Sequence, residues 1–129
     1  MRPVLEAIQQ AIDEDGWHVG IQQRPDVPDG HPYVILANLS TQFNGPIAAG
    51  QLDADRGFLV NVKTVGSQAQ ALELQARVEP LVKAAQPDGW TVLKVQVEQQ
   101  SGPLREDSAA PEDSLWWCDL TVRMWVTPS

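Results

Sequence analysis

Residues 115–127 alternate strictly. Trp116, Cys118, Leu120, Val122, Met124 and Val126 fall on one side, and Trp117, Asp119, Thr121, Arg123 and Trp125 on the other. A period of two belongs to a β-strand, because a helix would scatter both sets around its axis. A strand this long needs partner strands, and the resulting sheet needs a layer to cover its apolar face. The first set is expected to face the core. The second set places two tryptophans around a polar centre. Both sides are substantially apolar, so the opposite polarity is the alternative.

The rest of the chain supplies the covering layer and the partners. Val4, Leu5, Ile8, Ala11 and Ile12 recur at spacings of three and four, which predicts a helix over 4–14. Pro3 suits its first turn and Gly16 its end. Pro25, Pro28, Asp29-Gly30 and Pro32 make residues 24–32 a rigid connector. Residues 33–39 then read as a strand, apolar enough for burial on both faces. Residues 44–57 read as a loop, and 58–65 as a second strand rich in β-branched residues. Ser67 and Gln70 form a capping box that opens a second helix, with Ala71, Leu74, Val78, Leu81, Val82 and Ala85 on its buried side. Pro80 removes one backbone hydrogen bond there, which predicts a kink or two pieces.

After the Asp88-Gly89 turn, residues 91–99 alternate, with Leu93, Val95 and Val97 opposite Lys94, Gln96 and Glu98. Residues 100–114 read as a long polar loop. The short connections favour antiparallel pairing. The expected fold is α+β, an antiparallel sheet of about four strands with two helices packed on one face, in a single domain over 1–129.

Composition narrows the function. The net charge is −8, with 9 Lys and Arg spread singly along the chain, whereas a groove-reading nucleic-acid binder needs a basic patch. An acidic surface can still serve DNA as a wall it slides past. No apolar run reaches the ~18 residues of a membrane span. The opening Met-Arg-Pro leads into an amphipathic stretch, so no signal peptide is expected.

Candidate chemistry is sparse, and an enzyme is not expected. Cys118 is the one cysteine and lies on the core side, where a buried structural thiol is the plain reading. His18 and His31 flank the connector without a Cys or Glu at ligand spacing. Asp53 and Asp55, followed by Arg56, resemble the start of a calcium loop but lack its later glutamate; a solvated turn explains them. No catalytic, cofactor-binding or metal-binding residues are therefore expected. Trp117 and Trp125 have two readings, an interface or packing under the helices or the long loop. The acidic residues Glu106, Asp107, Glu112 and Asp113 belong either to a plain insertion or to a segment that orders on a partner.

Three stretches carry a resemblance: Asp29-Gly30-His31-Pro32-Tyr33-Val34-Ile35-Leu36, then residues 58–67 with the helix positions Gln70, Ala71, Leu74 and Val78, then residues 117–126. With this order of elements the chain resembles the tail terminator proteins of long-tailed phages with non-contractile tails. The resemblance is one of pattern and spans nearly the whole chain. It implies a hexameric ring that caps the tail tube, stops its growth and docks onto the head-side connector, with DNA passing through the lumen without specific binding. The implied partners are further copies of the chain, the tail tube protein and the connector protein. The implied place is the virion tail or neck, after assembly in the host cytoplasm.

On that reading Trp117, Arg123 and Trp125 become candidates for the subunit interface. Asp53, Asp55, Arg56, Glu106, Asp107, Glu112 and Asp113 become candidates for loops facing the lumen or a partner. Alternatives are another neck or connector ring, or a monomeric α+β domain binding a small ligand or one partner.

Overall fold

The computed structural model describes residues 2–28, 30–44, 55–105 and 115–128. The elements run α1 (Arg2–Glu14), β1 (His18–Ile21), β2 (Tyr33–Asn44), β3 (Asp55–Gly66), α2 (Gln68–Ala84), β4 (Trp90–Arg105) and β5 (Trp116–Pro128). The strands form one sheet in the order β1-β2-β3-β5-β4. The fold class is α+β, as expected, but with five strands and one parallel pair.

That pair is β1 with β2, joined over His18–Ile21 and Tyr33–Leu36. The strand signal of β1 is weak because it is short and only Gly20 is fully buried. Its partner follows a connector, residues 22–32, long enough to bring the chain back to the same end of the sheet, which parallel pairing requires. The other pairings, β2–β3, β3–β5 and β4–β5, are antiparallel.

Both helices contact each other and the same side of the sheet, α1 over β1 and β2, α2 over β3, β5 and β4. Helix α1 buries Val4, Leu5, Ile8 and Ile12, the stripe its spacing predicted, with Ala11 half-buried. Helix α2 buries Ala71, Leu74, Val78 and Val82. Phe58, Val60 and Val62 of β3 and Leu120, Val122, Met124 and Val126 of β5 close the core from below. Gln75, a buried polar side chain, donates to the carbonyl of Asp119 at 3.0 Å, and the Thr64 hydroxyl donates to that of Ala71 at 2.8 Å.

The capping box is present in full. The Gln70 backbone N–H donates to Ser67 Oγ at 3.2 Å, and the Ser67 N–H donates to Gln70 Oε1 at 2.9 Å. Ser67→Ala removes the first of these and leaves a helix-end donor to water. The expected loss is about 1 kcal/mol, read as a lower denaturation midpoint at constant slope. Pro80 lies inside α2, which is a single helical element rather than two. Its ring is exposed, so the break in bonding falls on the solvent side, where water can satisfy the released carbonyl.

Three further expectations are corrected. Residues 33–39 are covered on one side only: Val34 and Leu36 are buried, Ile35 and Ala37 half-buried and Leu39 exposed. Strand β4 does not stop at Gln99 but runs to Arg105, so the loop expected over 100–114 begins later. Gly102 and Pro103 suggested a loop, yet the register shift between Ser101 and Leu104 absorbs them. Gly102 has φ +106, and a Cβ there would sit 2.8 Å from the Trp117 carbonyl oxygen, so the position needs glycine. Pro103 is tolerated because β4 is an edge strand.

The alternation read for 91–99 holds for residues 94–98 but not for Leu93. A bulge between Val92 and Lys94 resets the phase. Val92, Val95 and Val97 pack against the core, while Leu93 is 55% exposed.

Candidate functional site

With both helices on one side, the other side of the sheet has no covering layer among the described residues. Its central strand in this respect is β5, whose alternation holds along its length: Cys118, Leu120, Val122, Met124 and Val126 are buried, and the residues between them are half-buried. Trp117, Arg123 and Trp125 therefore share the open face, as the sequence placed them. They do not pack under the helices.

Trp117 and Arg123 are each held by a neighbour on an adjacent strand, and Trp125 by Arg123 of its own strand. The Lys63 ammonium lies 4.6 Å from the centroid of the Trp117 ring. Arg123 Nε donates to Glu98 Oε1 at 2.8 Å, and its guanidinium lies 5.8 Å from the Trp125 centroid. Arg123 and Glu98 keep 21% and 35% of their side-chain surface in water, so the pair contributes near the top of the ~0–1 kcal/mol span for surface pairs. Between the two tryptophans, Asn61 Nδ2 donates to Asp119 Oδ1 at 3.2 Å.

Gly57 explains how Trp125 lies flat. It pairs directly with Trp125 across β3 and β5, and a Cβ at Gly57 would fall 2.2 Å from the indole Cζ3. Only a residue without a side chain lets the ring settle on the strand beneath it. The face is thus an apolar and aromatic surface with fixed charges, Lys63, Asp119, Arg123 and Glu98, arranged among two anchored rings. Among the described residues of this face no nucleophile is paired with a base.

Sequence reasoning found the three β5 residues but not their partners. Lys63 and Asn61 carried a usable signal, since they alternate with Val60, Val62 and Thr64 along β3. Gly57 was placed in a loop; Glu98 was read on the side opposite Val95 and Val97, which is where it meets Arg123, but nothing in its own strand names that partner. Of the residues expected in partner-facing loops, Asp55 and Arg56 begin β3 instead, because pairing with β2 and β5 extends to them. Asp53, Glu106, Asp107, Glu112 and Asp113 lie outside the described residues.

Cys118 is fully buried behind this face, opposite Thr64. Burial pushes its thiol up, the Thr64 hydroxyl works the other way, and the Asp119 charge adds to the rise. The fold disfavours the thiolate. Stability from this group is therefore intact below the ordinary thiol range and is lost as pH rises through the raised value. Labelling by a thiol reagent at pH 8 should be limited by unfolding and should speed up in step with denaturant. Fast labelling of the native protein would contradict the burial.

On the helix side, a groove of about 380 Å³ is lined by Trp17, Glu73, Ala76 and Arg77. Its donors turn away from it. Trp17 Nε1 and Arg77 Nε both reach Asp15 Oδ2, at 2.9 and 3.0 Å, and together hold that carboxyl below its usual range. The groove lacks the converging polar groups that fix a small ligand.

No protein-family model matches the chain, and no curated protein does. Among solved structures, a chain from the virion of a native gene transfer agent particle is similar to it, with a TM-score of 0.59 at 15% sequence identity. The match covers 96% of this chain and 91% of that one, and at this identity the likeness is one of fold.

Proposed function

We propose that this chain is a structural protein of a phage-like particle that works by assembly rather than by chemistry. The observation that carries the reading is the fold shared over nearly the full length of both chains with a component of a gene transfer agent virion. The open sheet face supports it: two anchored tryptophans and an arginine, residue types concentrated at interface hot spots, lie together without a covering layer among the described residues.

Within that class, the tail terminator reading accounts for most of what the sequence offers. A ring of six copies caps the tail tube, ends its growth and joins it to the head-side connector. Its lumen passes DNA, and a net charge of −8 discourages the duplex from sticking to the wall. The contact between copies is heterologous, one patch on one subunit meeting a different patch on the next, so that the arrangement closes. Trp117, Arg123 and Trp125 belong to the contacting surface.

Light scattering on the purified protein, alone and with tail tubes, tests this. A ring of six 14.2 kDa chains has a mass near ~85 kDa. That mass in solution, or rings found only at tube ends, is the expected result. A strict monomer that never binds tubes overturns it.

A further inference from the structure

The open side of the sheet is not equally open across its width. At the β1–β2 end the connector crosses it. The Arg24 guanidinium lies 5.0 Å from the Tyr33 ring centroid, and a Cβ at Gly20 would fall 2.3 Å from the Gln23 carbonyl oxygen. The uncovered ground is the β3–β5–β4 end, where Trp117 and Trp125 lie. Among the described side chains its cations are Lys63, Lys94 and Arg123, and its carboxylates Glu98 and Asp119. Lys63 stands opposite Asp119 and Arg123 holds Glu98, while Lys94 stands opposite Trp125 and is exposed. In a chain of net charge −8 this is a local excess of positive charge.

The opposite sign lies at the other end of the sheet and on its other side. Helix α1 covers β1 and β2. Its outer side exposes Pro3, Glu6, Gln10, Asp13 and Glu14. A groove of about 330 Å³ between α1 and β1 is lined by Glu6, Gln9, Gln10, Asp13 and Val19, with no cation. Asp13 and Glu14 stand in the last turn of the helix, which holds no basic residue. The carbonyl end of a helix is partly negative, so carboxylates there work against the folded monomer. Elsewhere in the helix layer carboxylates are matched: Asp15 by Arg77 and Glu79 by Lys83. Charges that oppose their own helix dipole, with no cation in their own turn, are accounted for by cations from outside the chain.

We infer that neighbouring copies overlap, the outer side of α1 on one subunit docking on the β3–β5–β4 end of the open face of the next. Asp13 and Glu14, with Glu6 beside them, meet Lys63, Lys94 and Arg123. Pro3 and Gln10 then lie against the indoles of Trp117 and Trp125. The two patches sit at opposite ends of the sheet and point away from each other, so two copies cannot satisfy both at once. The contact is heterologous, and copies add in one direction until the assembly closes. It rests on the ring reading and names the patch that meets the open face.

A charge exchange tests it. One variant carries Lys63→Glu and Lys94→Glu, the other Asp13→Lys and Glu14→Lys. Each alone sets like charges against each other at every contact, and association should fall roughly 100-fold or more. Light scattering reads this, or binding at tube ends where the wild type closes only on tubes. The second variant places cations at the carbonyl end of α1, so its thermal midpoint should equal or exceed the wild type's even as assembly is lost, which separates a lost contact from a lost fold. Mixed one to one, the two variants should form rings again, alternating around the circle, since each contact then joins opposite charges. A chain with all four substitutions, its patches exchanged in sign, should close by itself. If the wild type forms rings and either variant keeps them alone, or neither the mixture nor the fourfold variant restores them, the contact is elsewhere and the ring reading stands. If the wild-type protein is a monomer that never binds tubes, both are overturned.

Discussion

Trp125→Ala and Trp117→Ala are each expected to weaken assembly by at least about 2 kcal/mol, roughly 30-fold in the association constant, as truncations of buried interface aromatics do. Sedimentation or light scattering across a concentration series reads this directly. The effect should exceed that of Lys63→Met, which removes the cation over Trp117 but leaves the ring. Each tryptophan also makes contacts within its own chain, so the thermal midpoint of the monomer has to be followed in parallel. Gly57→Ala offers a route that keeps the indole. It lifts Trp125 off β3, because the added methyl cannot share space with the ring. Unchanged assembly in both tryptophan variants would remove the open face from the interface.

The largest effect on folding is expected from Leu120→Ala. Leu120 is fully buried, pairs with Val62 across β3 and β5, and lies at the centre of the strand that organises the sheet. Removing its branched end costs the transfer energy of the lost carbons plus that of the cavity, about 3 kcal/mol within a usual span of 2–5. Against a typical total of ~5–15 kcal/mol this is a large fraction. Urea denaturation should show a midpoint lower by about 1–2 M at unchanged slope. A loss under ~1 kcal/mol would mean that the core around β5 is not packed as described.

Residues differ in how plainly they reveal their place. Strand β5 was readable because its period-two pattern extends well past any competing period. The Ser67–Gln70 capping box and the apolar stripe of α1 were readable for the same reason: the interactions that define them lie within four residues of one another. Strand β1 was not, since four residues with one buried position carry little pattern, and their parallel partner comes only after the connector. The end of β4 was hidden by Gly102 and Pro103, residues that usually break strands and are accommodated here by a bulge at an edge. Leu93 was assigned to the wrong side because it is the extra residue of a bulge, which leaves Val95 and Val97 on the expected side and brings Val92 to the core in its place.

The candidate site divides the same way. That Trp117, Arg123 and Trp125 share a face follows from the sequence alone, because alternation along one strand is a local rule. That this face is the open one depends on where α1 and α2 pack, and both sides of β5 were apolar enough for either outcome. The partners Lys63, Asn61, Gly57 and Glu98 come from other strands, so register alone brings them near. Local hydrogen bonding and side-chain periodicity determine the elements, whereas strand order, register and the choice of covered face come from long-range burial, which no short window of sequence contains.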